Sequence, residues 1–303
     1  MAIRKVQLIA NCASGSVGPK APEEAKRILA EFGVEAVVHA PQPEDLEACL
    51  REAIEAGPDL LAVLAGDGTA RAAVELCGPD GPLVAPLPGG TMNMLPYAIY
   101  GQVPWQQALR ACLDTGEPRL IGGGEVEGRL FLVAAILGSP ALWAPAREAA
   151  RHGDLRNALR RAHVAWRRAF SGRLRFVLDA GARGKAEALS FICPLTSRAL
   201  DDEAQHLEAD VLTPAGASEV FRLAFNAMMG DWRRDPAVTS VACRHAHVWA
   251  SGGMPAVLDG EPVRLRAKVE VRWRPGVARI LGPPPAEAAE IKAHAKVGDE
   301  VGL

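Results

Sequence analysis

Three short glycine-bearing segments in the first hundred residues have the composition of anion-binding turns. They cover residues 11–15, 66–69 and 89–93, and hydroxyl donors within them are Ser14, Thr69 and Thr91. Glycine lets the backbone approach a ligand closely. Backbone N–H groups in such turns, together with the start of a following helix, form a site for phosphate. One turn of this kind is weak evidence, but three at equivalent strand ends predict a phosphate site.

Asp67 adds a carboxylate to the second of these segments, between Gly66 and Gly68. An aspartate here either shapes the turn and caps the following helix, or it holds Mg²⁺ on a bound phosphate. The residue alone leaves both interpretations open. The chain has no Gly-x4-Gly-Lys-Ser/Thr motif, and Gly-x-Gly-x-x-Gly is absent after the first strand. P-loop and dinucleotide-binding Rossmann sites are therefore disfavoured.

Alternating strands and helices position these turns within residues 1–122. Apolar runs predict strands over 6–10, 34–38, 60–64 and 83–87, and helical spacing predicts helices over 22–32, 46–56 and up to Cys77. Strand, turn and helix in repetition predict βαβ units and a mostly parallel sheet. Because such sheets bind ligands beyond the carboxyl ends of their strands, we expect the three turns to meet at one edge.

The pattern changes after the glycine triplet at 122–124. Short β-like runs separated by turns, proline and glycine predict an antiparallel sandwich or barrel over 123–276. A helical insertion is predicted near 146–170, and segment 277–303 is expected to pack back on the first domain. The predicted fold class is therefore α/β plus all-β, in two domains.

Composition excludes several classes of protein. The 303 residues contain 34 Lys+Arg against 36 Asp+Glu, so a generally basic nucleic-acid binder is excluded. No run of about 18 uncharged apolar residues occurs, so we expect no membrane span. The first ten residues are too short and strand-like for a signal peptide. Six scattered cysteines without a Cys-x-x-Cys pair fit a reducing compartment, and we expect a cytoplasmic protein.

A basic stretch over 146–175 raises the question of membrane contact. It contains nine arginines against Glu148 and Asp154, and Trp166 lies among its apolar positions. A basic amphipathic helix of this kind lies on an anionic membrane surface or packs its apolar face on the sandwich. The stretch leaves both interpretations open.

Four segments, in this order, resemble motifs of the diacylglycerol kinase catalytic-domain family. Residues 11–15 resemble its Asn-Pro-x-Ser-Gly turn, and residues 65–69 its Gly-Gly-Asp-Gly-Thr motif, which sphingosine, ceramide and NAD kinases share. Residues 88–93 resemble Pro-x-Gly-Thr-x-Asn, and residues 259–261 match Asp-Gly-Glu. The resemblance covers about residues 5–282, nearly the whole chain.

This resemblance implies a two-domain lipid kinase that transfers phosphoryl from ATP to a lipid hydroxyl, with Mg²⁺ near Asp67. Either Asp259 or Glu261 would accept the hydroxyl proton as general base, with Asp259 favoured. The implied partner is a lipid, with contact at the inner face of the membrane. The residues implied to bind the nucleotide are Asn11, Ser14, Gly15, Gly66, Asp67, Gly68, Thr69, Gly89, Gly90, Thr91 and Asn93.

Departures from the family pattern keep two other functions open. Acids of the family are replaced by Arg71-Ala72, by Met94 and by Gly122, and Ala65 replaces a glycine. A NAD kinase or another small-metabolite kinase is the second hypothesis, although it normally carries Asn-Glu at 71–72. A non-catalytic nucleotide or lipid binder is the third. The sequence specifies neither the acceptor nor the oligomeric state.

His245 and His247 alternate on one face of a predicted strand. Two histidines at this spacing could bind a metal ion. No third ligand lies nearby in the sequence, so solvated or hydrogen-bonded histidines are favoured here.

Overall fold

The computed structural model describes residues 3–138, 174–197, 199–213 and 236–284. The chain divides into two compact units: Met1–Gly122 with Pro275–Leu303, and Gly123–Arg274. The predicted helical insertion at 146–170 and all but the end of the basic stretch lie outside the described residues. No helix within the described ranges combines the length and apolar composition that crossing a membrane requires.

The elements follow one another in a simple order along the chain. The helices are α1 (Ala21–Glu31), α2 (Leu46–Glu55), α3 (Asp67–Cys77), α4 (Met94–Tyr100) and α5 (Trp105–Thr115). The strands are β1 (Lys5–Ala10), β2 (Glu35–His39), β3 (Leu60–Ala65), β4 (Leu83–Pro88), β5 (Glu117–Val126), β6 (Arg129–Phe131), β7 (Ala134–Gly138), β8 (Leu174–Leu178), β9 (Gly184–Ala186), β10 (Ala188–Ile192), β11 (Leu207–Leu212), β12 (Val238–Cys243), β13 (His245–Trp249), β14 (Met254–Leu258), β15 (Glu261–Leu265) and β16 (Lys268–Gly282).

A parallel sheet in the order β2-β1-β3-β4 forms the first unit. Every residue of β3 and β4 is buried, as expected for strands covered by helices on both faces. The second part of β16 adds a further parallel strand, with Ile280 paired to Val84. The predicted α/β architecture of this segment is confirmed.

The helices of the first unit follow from apolar spacing and glycine stops. Helix α1 buries Ala25, Ile28 and Leu29 on one face and ends before Gly33, which adopts a φ of +65°. The sequence analysis does not predict α4, which carries Pro96 in its first turn. Proline is tolerated there because the first-turn N–H groups have no partner within the helix.

Antiparallel strands form the second unit, as predicted. One sheet has the order β12-β11-β10-β7-β14-β15, and β13 pairs antiparallel with both β8 and β16. A single core lies between them, because Phe191 of the first sheet and Val248 and Val271 of the other strands belong to one buried cluster. The unit is therefore a β-sandwich.

Candidate active site

The three glycine-bearing turns of the first unit meet at one edge of its sheet. The amide of Asn11 donates to Leu64 O over 3.0 Å, which ties the first turn to β3. The amide of Ser16 donates to Gly89 O over 3.3 Å, and its hydroxyl donates to Gly90 O over 3.2 Å. We call residues 11–15, 66–69 and 89–93 together the turn cluster.

Backbone contact between the second and third turns explains two of the glycines. A Cβ on Gly90 would lie 2.7 Å from Gly66 Cα, and one on Gly89 would lie 2.6 Å from Ala65 N. Neither distance is one that real Cβ atoms show, so the third turn needs glycine at both positions to pack this closely on the second. A Cβ on Gly15 would likewise lie 3.0 Å from the hydroxyl oxygen of Thr91.

Asn93 fixes the shape of the third turn. It is buried and adopts a φ of +50°, a left-handed conformation that asparagine tolerates better than most residues. Its Oδ1 accepts from the Gly90 amide over 2.7 Å, and its Nδ2 donates to Gly90 O over 3.0 Å. The side chain therefore holds the backbone of the cluster in place.

Asp67 lies at the first position of α3, half-buried, with its carboxylate directed at the start of α4. Its Oδ1 accepts from the Leu95 amide over 3.1 Å. Burial raises the pKa of Asp67 above its ordinary value, although the amides of residues 93–95 act in the opposite direction. A cation beside this carboxylate would favour its ionised form. Asp67 therefore caps α4, while its burial disfavours the ionised carboxylate.

A cleft of about 560 Å³ opens beside the turn cluster, within the range of about 300–1,000 Å³ typical of small-molecule sites. The described residues that line the cleft include no lysine or arginine, so an anionic ligand would rely on amide N–H groups, hydroxyls and a cation. The lining is formed by Ser16, Pro88, Gly90, Thr91, Asn93, Tyr97, Gln102, Val103, Pro104, Trp105 and Gln106.

Several of these lining residues were not identified from the sequence. Tyr97 receives a hydrogen bond from Asn93 Nδ2 over 3.3 Å, and its position one helical turn after Asn93 is the signal that could have indicated it. Trp105 begins α5, an element that the strand-and-turn pattern does not predict. The cleft therefore combines the third predicted turn with the start of an unpredicted helix, and no residue of 11–15 or 66–69 is among its described lining residues.

The turn cluster fits a nucleotide phosphate with Mg²⁺, with one protein carboxylate available. Mg²⁺ takes one or two carboxylates and completes its coordination with phosphate oxygens and water. Asp67 supplies that carboxylate, whereas Arg71, Ala72 and Met94 supply none. Among the described residues of the turn cluster, one carboxylate is therefore available as a Mg²⁺ ligand, the smallest number that such sites use.

Replacing Gly90 with alanine is expected to lower the free energy of unfolding by about 1–3 kcal/mol, because the added methyl group forces the second and third turns apart. Urea unfolding measures this loss. Gly252→Ala is the matched control, since a Cβ at Gly252 meets nothing within 4 Å. Equal stability of the two variants would contradict the close packing of the turns.

In the second unit, Asp259 and Gly260 form the two-residue turn between β14 and β15. Both have positive φ, +47° and +86°, and Leu258 pairs with Glu261 across the turn. Two consecutive left-handed residues are typical of a type I′ hairpin, for which Asp-Gly is a preferred sequence. The hairpin that Asp-Gly favours is therefore present.

The Asp259 carboxylate is buried and binds the backbone between β6 and β7. It accepts from the amides of Leu132, Val133 and Ala134 over 2.8, 2.9 and 3.0 Å. Glu261, by contrast, is exposed at the start of β15. The two acids of the Asp-Gly-Glu segment therefore occupy different environments.

One protein-family model matches the N-terminal segment. Residues 5–121 are similar to the model of the diacylglycerol kinase catalytic domain. The match includes every residue of the turn cluster and ends before the Asp-Gly-Glu segment. No curated protein sequence matches the chain.

Solved structures share the fold across nearly the whole chain. Two from Bacillus anthracis, a diacylglycerol kinase and a putative diacylglycerol kinase, have TM-scores of 0.68 and 0.72 at 15% and 16% identity. Each similarity covers 94% of this chain and 99% of the other. An NAD kinase from Archaeoglobus fulgidus in complex with ATP has a TM-score of 0.52 at 12% identity, over 96% of this chain and 98% of the other. The diacylglycerol kinase catalytic domain and this fold support a kinase of the diacylglycerol kinase and NAD kinase superfamily.

Proposed function

We propose that this protein is an ATP-dependent lipid kinase that phosphorylates the hydroxyl of a diacylglycerol-like lipid. The convergence of the three glycine-bearing turns, within a segment similar to the diacylglycerol kinase catalytic domain, is the observation that carries this proposal. The greater fold similarity to the two Bacillus anthracis proteins than to the NAD kinase also supports a lipid acceptor.

The turn cluster binds the phosphates of ATP in this proposal. Amide N–H groups of the turns and the hydroxyls of Ser14, Thr69 and Thr91 donate to phosphate oxygens. Asn11 and Asn93 act through the shape of their turns, since Asn11 Oδ1 accepts from the Ala13 amide over 3.1 Å and Asn93 holds Gly90. Because the described lining of the cleft contains no lysine or arginine, Mg²⁺ would supply most of the positive charge beside the phosphates.

Asp67 would hold Mg²⁺ together with the phosphates. When bound, Mg²⁺ neutralises charge on the transferring phosphoryl group. The raised pKa of Asp67 agrees with this role, because a bound cation would offset the cost of burying its charge. In the proposed reaction the lipid oxygen bonds to the γ-phosphorus, the bond to the β-phosphate oxygen breaks, and ADP leaves.

The lipid hydroxyl loses its proton to a general base, which the family resemblance assigns to the Asp-Gly-Glu segment. The sequence favours Asp259, but the burial of Asp259 and the exposure of Glu261 favour Glu261. Three backbone amides donate hydrogen bonds to the buried Asp259 carboxylate, whereas Glu261 is exposed. We therefore propose Glu261 as the base and Asp259 as the residue that holds the hairpin in position.

Two alternatives follow from specific observations. The fold shared with the NAD kinase from Archaeoglobus fulgidus keeps NAD as an alternative acceptor. The small number of acids around the turn cluster, together with the capping contact of Asp67, favours a protein that binds nucleotide without transfer. Each alternative gives a different result in one assay.

The test is a transfer assay with ATP labelled at the γ-phosphate, Mg²⁺, and separate acceptors: diacylglycerol in mixed micelles, ceramide, sphingoid bases and NAD. We expect label in a lipid product, and we expect chelation of Mg²⁺ to abolish it. Label in NAD alone would establish the metabolite kinase. ATP binding without label in any acceptor would establish the non-catalytic binder.

Contact with a membrane surface belongs to the same proposal, because the substrate is a lipid. The basic stretch over 146–175 would supply it, although only its last two residues lie in the described part of the chain. Vesicle binding that weakens with salt and on neutralising Arg160, Arg161, Arg167 and Arg168 would support this role. Unchanged vesicle binding by that variant would remove it.

A further inference from the structure

A second cluster of potential metal ligands lies in the β-sandwich, and none of its residues belongs to the proposed kinase site. His245 and His247 are two residues apart on β13 and point to the same face of the sheet. Strand β16 pairs with β13 in the register His247↔Glu270 and His245↔Arg272. Glu270 therefore lies directly across from His247 and on the same face.

The three side chains are already close together. One ligand atom from each lies within 4.8 Å of the other two. His245 Nε2 contacts Glu270 Oε1, and His247 Nε2 lies 3.8 Å from the same oxygen. The two imidazole rings are edge to face with centroids 4.5 Å apart. A four-coordinate zinc site has ligand atoms about 3.3 Å apart, so small side-chain rotations would complete it.

Exposure and neighbouring groups allow those rotations and leave room for a further ligand. The side chains of His245, His247 and Glu270 are 35%, 40% and 32% exposed. Trp249 stacks on the His247 ring with a centroid distance of 6.0 Å. The cluster is therefore accessible to an ion from solvent.

We propose that His245, His247 and Glu270 form a binding site for a divalent transition-metal ion, with Zn²⁺ the best match. Two imidazoles and one carboxylate are typical ligands of zinc sites that keep a fourth position for water or another ligand. Imidazole nitrogen selects zinc and its neighbours in the first transition row over Mg²⁺ and Ca²⁺, which prefer oxygen.

Arg272 has a positioning role in this site. Its guanidinium pairs with Glu270 Oε2, while Oε1 faces the two histidines. Hydrogen bonds to the second oxygen of a metal-binding carboxylate fix its orientation in many sites. Arg272 therefore directs Glu270 to bind through a single oxygen.

The site is independent of the proposed kinase activity and can be tested without nucleotide. Calorimetric titration of the untagged full chain with Zn²⁺ is expected to show one site per chain that Mg²⁺ does not occupy. Co²⁺, which has visible absorption when bound by nitrogen and oxygen in a tetrahedral site, provides a second probe. Zn²⁺ is also expected to raise the Tm, because it binds the folded state.

Variants connect the binding to these residues. His247→Gln is expected to abolish the site, and Glu270→Gln to weaken it by at least about tenfold. His39→Gln is the matched control, because His39 is also a half-buried strand histidine but lies on β2 beside Gln7. The Tm of each variant without Zn²⁺ shows whether its fold is intact.

Two results would overturn the proposal. One is the absence of a Zn²⁺ site in the full chain. The other is an unchanged titration in His247→Gln, which would place the bound ion on other residues. Loss of the site in His247→Gln, with retention in His39→Gln and normal Tm in both, would support it.

Discussion

Replacing Asp67 with asparagine is expected to lower phosphoryl transfer about 10²–10³-fold, the usual effect of removing one preorganised electrostatic group. The folded protein is expected to be at least as stable as the wild type. Asparagine has nearly the same shape and keeps an oxygen that can accept from the Leu95 amide. The variant therefore removes the charge proposed to hold Mg²⁺ and preserves the cap of α4.

The pKa of Asp67 gives the sign of the stability change. Burial raises this pKa in the folded state above its value in the unfolded chain. Ionisation of Asp67 at neutral pH therefore opposes folding, and Asp67→Asn removes that opposition. Asp67→Asn should therefore have a higher free energy of unfolding than the wild type near neutral pH. This difference should decline as pH falls through the folded-state pKa of Asp67. It should vanish below the unfolded-state pKa of about 3.9.

Urea unfolding at several pH values, combined with the transfer assay, tests both parts. A variant that is less stable than the wild type at neutral pH would contradict the expected cost of ionising Asp67 in the folded state. Transfer at the wild-type rate would remove Asp67 from the proposed metal site. Mg²⁺ titration of the residual activity distinguishes lost metal affinity from lost turnover.

The two acids of the Asp-Gly-Glu segment are expected to respond in opposite ways. Glu261→Gln should lower transfer about 10²–10⁴-fold, the range for a general base, with little change in stability. Asp259→Ala should lower the free energy of unfolding by about 3 kcal/mol or more, because it leaves buried amides between β6 and β7 without their acceptor. Asp259→Asn retains one oxygen acceptor and should fall between the wild type and the alanine variant.

Separate measurements of stability and turnover decide this assignment. Thermal unfolding reports the loss at Asp259, and transfer per folded molecule reports the loss at Glu261. Wild-type stability in Asp259→Ala would contradict the structural role of its three hydrogen bonds. Full turnover in Glu261→Gln, with a large loss in folded Asp259→Asn, would return the base to Asp259.

The local elements of the first unit were predictable because they depend on short-range patterns. Apolar runs of strand length, glycine stops such as Gly33 and helical spacing such as Ala25, Ile28 and Leu29 predict β1 to α3 within a residue or two. Parallel strands place their following turns at one edge, so the meeting of the three turns also followed from sequence. Helices α4 and α5 were not predicted, because proline interrupts the helical pattern of apolar residues near their starts.

Contacts between distant residues decided the rest. The choice between a capping and a metal-binding Asp67 depends on α4, whose Leu95 lies 28 residues further along the chain. The Asp259 carboxylate meets amides 125 to 127 residues away, and no periodicity in the sequence encodes such a contact. The hairpin at Asp259 could be predicted from the Asp-Gly dipeptide, but the hydrogen bonds that the Asp259 side chain accepts could not.

The histidine pair shows the same division between local pattern and strand register. The sequence alone determined that His245 and His247 share one face of a strand, because side chains alternate with a period of two. Only the pairing of β13 with β16 brought Glu270 to that face as a third potential ligand. Register between strands is selected by the packing of the whole core, since a shift of one residue would turn every buried side chain outward. For that reason the sequence determined the elements and their turns, and the tertiary structure decided which side chains meet.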